Sequence, residues 1–180
     1  MSRDSKFLSR IVRHTPHEIG LTLDAQGWVL VDDLLKALRR AGRPMARAEL
    51  ITVIALDDKQ RFTLSADGRR LRAAQGHSVP VDLGLTPAAP PEVLYHGTSR
   101  RSLDAIFAMG LRPGRRRQVH LSPERETAQQ VGQRHGKPVV LRVAAAHMHR
   151  DGHGFYLSDN AVWLTDQVPA VYLSFDGTSA

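Results

Sequence analysis

HSVPVDLGLTPAAPPE, residues 77–92, decides how the rest of the chain is read. Pro80, Pro87, Pro90 and Pro91 fall in a stretch with few apolar positions at helix or strand spacing. Proline fixes φ and lacks an N–H, so such a run connects elements and does not extend one. The expected organisation is an N-terminal lobe over 1–76, a linker over 77–92 and a C-terminal lobe over 93–180.

Upstream of the linker, Leu8, Ile11 and Val12 have helical spacing, with Ser5 available as N-cap. Asp24-Ala25-Gln26-Gly27 reads as a turn. Asp32 can cap a helix through Leu34, Leu35 and Leu38 that closes at Gly42. A further helix is expected from Ala46 to Leu56, with Leu50, Val53 and Ile54 inward. Arg61–Leu64 and Arg69–Ala73 flank Ala66-Asp67-Gly68, a hairpin signal. Helices followed by a β-hairpin predict a winged-helix-like unit.

Downstream, short strand-like runs stand at Val93–Tyr95, Val119–Leu121, Val139–Val143, Phe155–Leu157, Val162–Leu164 and Ala170–Phe175. Two helices are expected, Ser102–Ala108 ended by Gly110, and Pro123 to Gly132 with proline in its first turn. The fold class is therefore α+β.

The 180 residues carry 25 Lys/Arg against 18 Asp/Glu, a formal charge of +7. The segment 1–76 holds 14 of those bases and 9 of the acids, which makes the N-terminal lobe the better candidate to hold a polyanion. Arginine predominates, and guanidinium binds phosphate oxygens bidentately. Cysteine is absent, which excludes thiolate nucleophiles and cysteine-ligated metals. No GxGxxG, Walker-A loop, HExxH or GxSxG occurs. Nor is there an apolar run of membrane-spanning length or a leader-like N-terminus, so a cytoplasmic protein is expected.

Arg13-His14 ends the first helix, where a cation also suits the helix dipole. Taken singly, Arg61 reads as a solvated charge and Arg115-Arg116-Arg117 as a solvated loop. Tyr95-His96-Gly97-Thr98-Ser99 reads either as a strand ending in a tight turn with an N-cap, or as a cradle where glycine admits a ligand and hydroxyls bind it. His147, His149 and His153 read as exposed loop histidines and not as a metal site.

In order, the blocks are Leu8–His14, Asp24–Trp28, Asp58-Lys59-Gln60-Arg61-Phe62, Leu94–Thr98, Gly110-Leu111 on to Val119-His120-Leu121-Ser122, Phe155-Tyr156 and Asn160–Thr165. Together they resemble the RNA 2′-phosphotransferase family (tRNA 2′-phosphotransferases) over nearly the whole chain. The resemblance implies a winged-helix RNA lobe followed by an ADP-ribosyltransferase-like lobe that holds NAD. It places the catalytic Arg-His-Arg-Arg set on Arg13, His14, Arg61 and Arg116, with Arg115 and Arg117 as alternatives in register. It places the NAD contacts on His96, Gly97, Thr98, Ser99, His120, Ser122 and Val162, with Tyr156 either stacking on nicotinamide or packing in the core. Gln118 stands where the family pattern has His, and Ala161 where it has Gly.

The implied reaction removes an internal 2′-phosphate from RNA, as in tRNA splicing. The phosphate displaces nicotinamide from NAD, giving an ADP-ribosylated 2′-phosphate. The ribose 2″-hydroxyl then attacks that phosphate, releasing 2′-OH RNA and ADP-ribose 1″,2″-cyclic phosphate. NAD is consumed, no metal is implied, and no obligate protein partner is evident. His14 would orient the phosphate or protonate the departing RNA oxygen. Competing classes are an ADP-ribosyltransferase acting on protein or terminal nucleic-acid phosphates, and a non-catalytic RNA-binding module.

Overall fold

Apolar residues at helical spacing bring Leu8, Ile11 and Val12 onto one fully buried stripe of α1 (Arg3–Arg13). A computed structural model describes residues 3–176, and the chain divides into two units, Met1–Gly84 and Leu85–Ala180. Each has its own apolar core.

In the first unit, the Asp24 carboxylate accepts the backbone N–H groups of Gln26 and Trp28, at 2.9 and 2.8 Å. This Asx-type turn leads into β1 (Val29–Leu30). Next come α2 (Val31–Arg40) and α3 (Arg47–Ala55), then the hairpin β2 (Phe62–Leu64) and β3 (Arg70–Ala73). The antiparallel order is β1-β3-β2, with Val29 opposite Leu71 and Phe62 opposite Ala73. Leu8, Ile11, Val12, Leu34, Leu38, Leu50 and Leu71 fill the core.

Two expected caps belong elsewhere. Ser5 lies inside α1, buried, and its hydroxyl donates to Asp57 at 3.1 Å. Asp32 sits within the first turn of α2, where its charge suits the helix dipole, and Leu30 holds the N-cap position.

The second unit contains β4 (Leu94–Ser99), α4 (Leu103–Met109), β5 (Val119–Leu121), α5 (Arg125–Gly132), β6 (Pro138–Val143), α6 (Ala145–Arg150), β7 (Tyr156–Leu157), β8 (Trp163–Thr165) and β9 (Leu173–Phe175). Two antiparallel sheets, β4-β6-β9 and β5-β8-β7, are joined where Tyr95 and Ser122 exchange backbone hydrogen bonds of 2.8 and 2.9 Å. Among the described residues the fold is thus mixed α+β with three small antiparallel sheets, and no helix is long and apolar enough to cross a membrane.

Four elements depart from expectation. The strand β4 does not stop at Gly97 but runs on to Ser99, because β6 pairs it to the end, Gly97 opposite Val140 and Ser99 opposite Pro138. Helix α6 lies where a loop of histidines was expected; Ala145 and Met148, one helical turn apart, are fully buried and hold it to the core. Pro123 precedes the Glu124 N-cap of α5 instead of occupying its first turn. The run Ala170–Phe175 is likewise only half strand, since Ala170–Tyr172 forms a 3₁₀ turn.

Gly97 serves packing. A Cβ there would stand 1.7 Å from the Ala128 carbonyl oxygen and 2.8 Å from the Gly132 nitrogen, both on α5. Gly132 answers it, since its own Cβ would stand 2.8 Å from the Thr98 carbonyl oxygen. Backbone meets backbone at this crossing, so neither neighbour can yield by a rotamer change. Ala161 presents the opposite case: a side chain in the left-handed region, at φ 59°, costing about 1–2 kcal/mol relative to glycine.

Two substitutions should therefore move stability in opposite directions. Gly97→Ala should lose about 3 kcal/mol by overpacking a backbone contact. Ala161→Gly should gain about 0.5 kcal/mol, relief of strain less the extra entropy of the unfolded chain. Urea denaturation checks both; an unchanged midpoint for Gly97→Ala would show that α5 does not seat on β4 in this way.

Candidate functional site

The last turn of α1 places Arg13 and His14 side by side, with Arg13 only 6% exposed. The Arg13 carbonyl accepts the Ser78 N–H at 2.9 Å, and His14 Nδ1 lies 3.0 Å from Ser78 Oγ. Ser78, within the stretch read as a linker, is hydrogen-bonded to both members of the expected catalytic pair. His77 is 3% exposed, and among the described residues its Nε2 meets no hydrogen-bond partner. Burial first, then the charges of Arg13, His14 and Arg72, push its pKa down to about 4. A neutral His77 can pack beside these cations; a protonated one would repel them.

Arg61 is no solvated charge. It is buried, and its guanidinium donates to the carboxylate of Asp57, whose side chain is 1% exposed. The same carboxylate accepts the Arg61 backbone N–H at 2.7 Å and the Ser5 hydroxyl at 3.1 Å. The tight turn before β2, with Gln60 at φ 44°, brings the acid back onto the base four residues later. Because Ser5 lies on α1, this pair and Arg13-His14 are fixed to the same helix. Asp57 is the orienting group that a reading of Arg61 alone misses; an acid four residues ahead of the base was its signal. Nearby on β3, Arg72 and Arg70 lie over the Trp28 ring, at 4.6 and 5.4 Å from its centre. These cations have aromatic surface beneath them.

In the second unit, strand alternation puts His96 and Thr98 on the face of β4 opposite Gly97 and α5. His96 Nδ1 donates to the His120 carbonyl oxygen at 3.1 Å. A carbonyl only accepts, so His96 carries its proton on Nδ1. The Arg116 guanidinium donates to His120 Nδ1, so a neutral His120 carries its proton on Nε2. In their neutral forms His96 would accept and His120 donate at Nε2. Arg116 is exposed as a residue, yet protein packed around its guanidinium and, second, the Arg134 charge lower its pKa. A guanidinium starts high enough to remain charged. Arg115 and Arg117 are exposed.

The remaining expected contacts have structural partners. Thr98 and Ser99 are buried, and the Ser99 hydroxyl lies 3.2 Å from that of Ser102. Ser122 Oγ accepts the Glu124 N–H at 3.0 Å and so shapes the entry to α5. Val162 precedes β8 and is clasped by Ser158, N–H to carbonyl at 3.0 Å and N–H to Oγ at 3.1 Å. Tyr156 lies on β7, half-buried, opposite Leu164. Gln118 donates to Asp166 at 3.4 Å. His147 and His153 meet the Tyr172 ring edge-on, while His149 meets Phe155. Among the described residues no cluster of three or more His, Asp or Glu forms a metal site.

Residues 2–167 match the family model described as RNA 2′-phosphotransferase, Tpt1 / KptA family. A protein of Agrobacterium fabrum is 59% identical over 98% of this chain and 95% of its own length. One from Streptomyces coelicolor is 57% identical over 95% of this chain and 93% of its own. A third, from Hahella chejuensis, is 54% identical over 97% and 94%. All three are described as probable RNA 2′-phosphotransferases.

The buried His77 makes stability depend on pH. Its folded pKa lies below the unfolded value of 6.5, so between pH 6.5 and 4 the unfolded chain binds more protons. Stability is then fully present above pH 6.5 and is lost as pH falls through that window. Between pH 7 and pH 5 the loss from this residue should be about 2 kcal/mol. Urea unfolding at both values, for the parent and His77→Gln, isolates it. The variant should lose about that much less; equal losses would show that His77 titrates normally.

Proposed function

Since the chain belongs to the RNA 2′-phosphotransferase, Tpt1 / KptA family, and is an NAD-dependent enzyme that transfers an RNA 2′-phosphate to NAD, we propose that Arg13, His14, Arg61 and Arg116 do this work. The first unit is the winged-helix-like RNA lobe. The second is the ADP-ribosyltransferase-like lobe, with His96, Gly97, Thr98, Ser99, His120, Ser122 and Val162 as its NAD residues. The physiological setting is the cytoplasm and the partner an RNA carrying an internal 2′-phosphate.

One observation carries the assignment: the basic residues are buried or held by partner side chains. Arg13 is buried beside His14, Arg61 is locked on Asp57, and Arg116 rests on His120. Arginines retained only for solubility have no need of such shells. The polar set on β4 and β5 also fits a dinucleotide, because an acceptor at His96 and a donor at His120 suit ribose hydroxyl and amide groups.

The RNA 2′-phosphate is already ionised, so its attack on the anomeric carbon needs positioning more than a base. A phosphate oxygen–carbon bond forms as the bond to nicotinamide breaks. In the second step the ribose 2″-oxygen bonds to phosphorus and the bond from phosphorus to the RNA 2′-oxygen breaks. Charge gathers on the phosphoryl oxygens, where preorganised guanidinium groups stabilise it. His14 protonates the departing 2′-oxygen.

The test supplies NAD and an oligonucleotide bearing one labelled 2′-phosphate. The label should move into a cyclic phosphate of ADP-ribose as nicotinamide is released; label appearing as inorganic phosphate without NAD would contradict the reading. At saturating substrates Arg116→Lys should lose about 2–4 kcal/mol of transition-state stabilisation, the scale of one preorganised donor. Arg115→Lys and Arg117→Lys should stay near parental rates. Near-parental rates for all three would remove Arg116 from the catalytic set.

A further inference from the structure

Ser78 touches both members of the pair at the end of α1. Its N–H donates to the Arg13 carbonyl at 2.9 Å, and its hydroxyl lies 3.0 Å from His14 Nδ1. The neighbouring His77 is buried, and its Nε2 lies 3.2 Å from where a Gly27 Cβ would stand. A larger residue at 27 would press on His77, so the segment carrying Ser78 is anchored on that side by packing. Ser78 itself is exposed. Its hydroxyl is the part of an otherwise fixed residue that meets His14.

We propose that Ser78 is a positioning residue for His14, holding Nδ1 so that Nε2 is the nitrogen that exchanges a proton with the RNA. The proposal rests on the reading that His14 protonates the departing 2′-oxygen. In the charged imidazole, Nδ1–H donates to Ser78 Oγ and Nε2–H faces the substrate. As the phosphorus–O2′ bond breaks, the Nε2 proton passes to O2′. The proton of the attacking 2″-hydroxyl leaves to solvent, and Nε2 takes its next proton from solvent. The neutral ring keeps its proton on Nδ1 throughout, still donating to Ser78.

A hydroxyl suits this position better than a carboxylate. Paired with a carboxylate, the imidazole would hold its proton more tightly and surrender it less readily. Serine holds the ring in place without adding charge. Arg13 on α1, His14 and Arg72 on β3 all bear on the neighbouring His77, so the segment that carries Ser78 lies among cations.

The test uses the full chain with three variants, Ser78→Ala, Ser78→Thr and His14→Ala, and gel-purified ADP-ribosylated RNA as substrate for the second step alone. Nitrogen-15 spectra of the parent at pH 8 should show His14 as the Nδ1–H tautomer. Ser78→Ala should shift it towards Nε2–H, slow the second step about 10- to 100-fold and leave KM for RNA unchanged. Ser78→Thr, which keeps the hydroxyl, should restore tautomer and rate. An unchanged tautomer and rate in Ser78→Ala, with His14→Ala inactive, would overturn the role of Ser78 alone. A slow Ser78→Ala that Ser78→Thr does not rescue would also overturn it, by showing a packing role. Full second-step activity in His14→Ala would instead overturn the reading on which the proposal stands.

Discussion

The buried pair of Arg61 and Asp57 is the constraint on which the proposed chemistry of the first unit depends. Taking two charges out of water costs several kcal/mol per ion, and their attraction repays it only when other hydrogen bonds complete the geometry. Here they do. The Asp57 carboxylate accepts the Arg61 guanidinium, the Arg61 backbone N–H and the Ser5 hydroxyl together. Such an arrangement adds little net stability over an apolar substitute. Its product is a guanidinium fixed in direction, tied through Ser5 to the helix that ends in Arg13 and His14. A phosphate-transfer site needs that more than it needs extra stability, because preorganised charge acts only if it need not reorganise as the reaction proceeds.

The second unit meets a comparable demand by packing instead of charge. Gly97 and Gly132 let α5 approach β4 until backbone touches backbone. With one face of the strand thus covered, His96 is turned to the other, where it donates to the His120 carbonyl and fixes its own tautomer. Arg116 fixes the tautomer of His120 in the opposite sense.

Strong periodicity made much of the fold readable. Leu8, Ile11 and Val12 announce α1, and Ala66-Asp67-Gly68 announces the β2–β3 hairpin. Weaker elements failed for local reasons. In α6 two histidines, His147 and His149, obscure a stripe of only two core residues, Ala145 and Met148. At Gly97 a glycine in mid-strand looks like a turn, because the helix it makes room for is far along the chain. The site showed the same division. Residue types and ordered motifs nominated Arg13, His14, Arg61 and Arg116 as the proposed set, and the side chains around them were hidden. Asp57 looked like one acid in a polar run, and Ser78 like the start of a linker. Such partners are defined by contacts across tens of residues, which no local pattern reports. Ala161 was visible as a departure from the family pattern, and its positive φ shows why glycine suits that turn.

If partner groups make these arginines catalytic by holding them, a double-mutant cycle on Asp57 and Arg61 shows it most directly. Second-step rates are measured for the parent, Asp57→Asn, Arg61→Lys and the double variant, each confirmed folded by its denaturation midpoint. If Asp57 acts through Arg61, either single change slows the step and the second adds little to the first, a coupling of about 1–3 kcal/mol. Full additivity, or a parental rate for Asp57→Asn, would contradict the account.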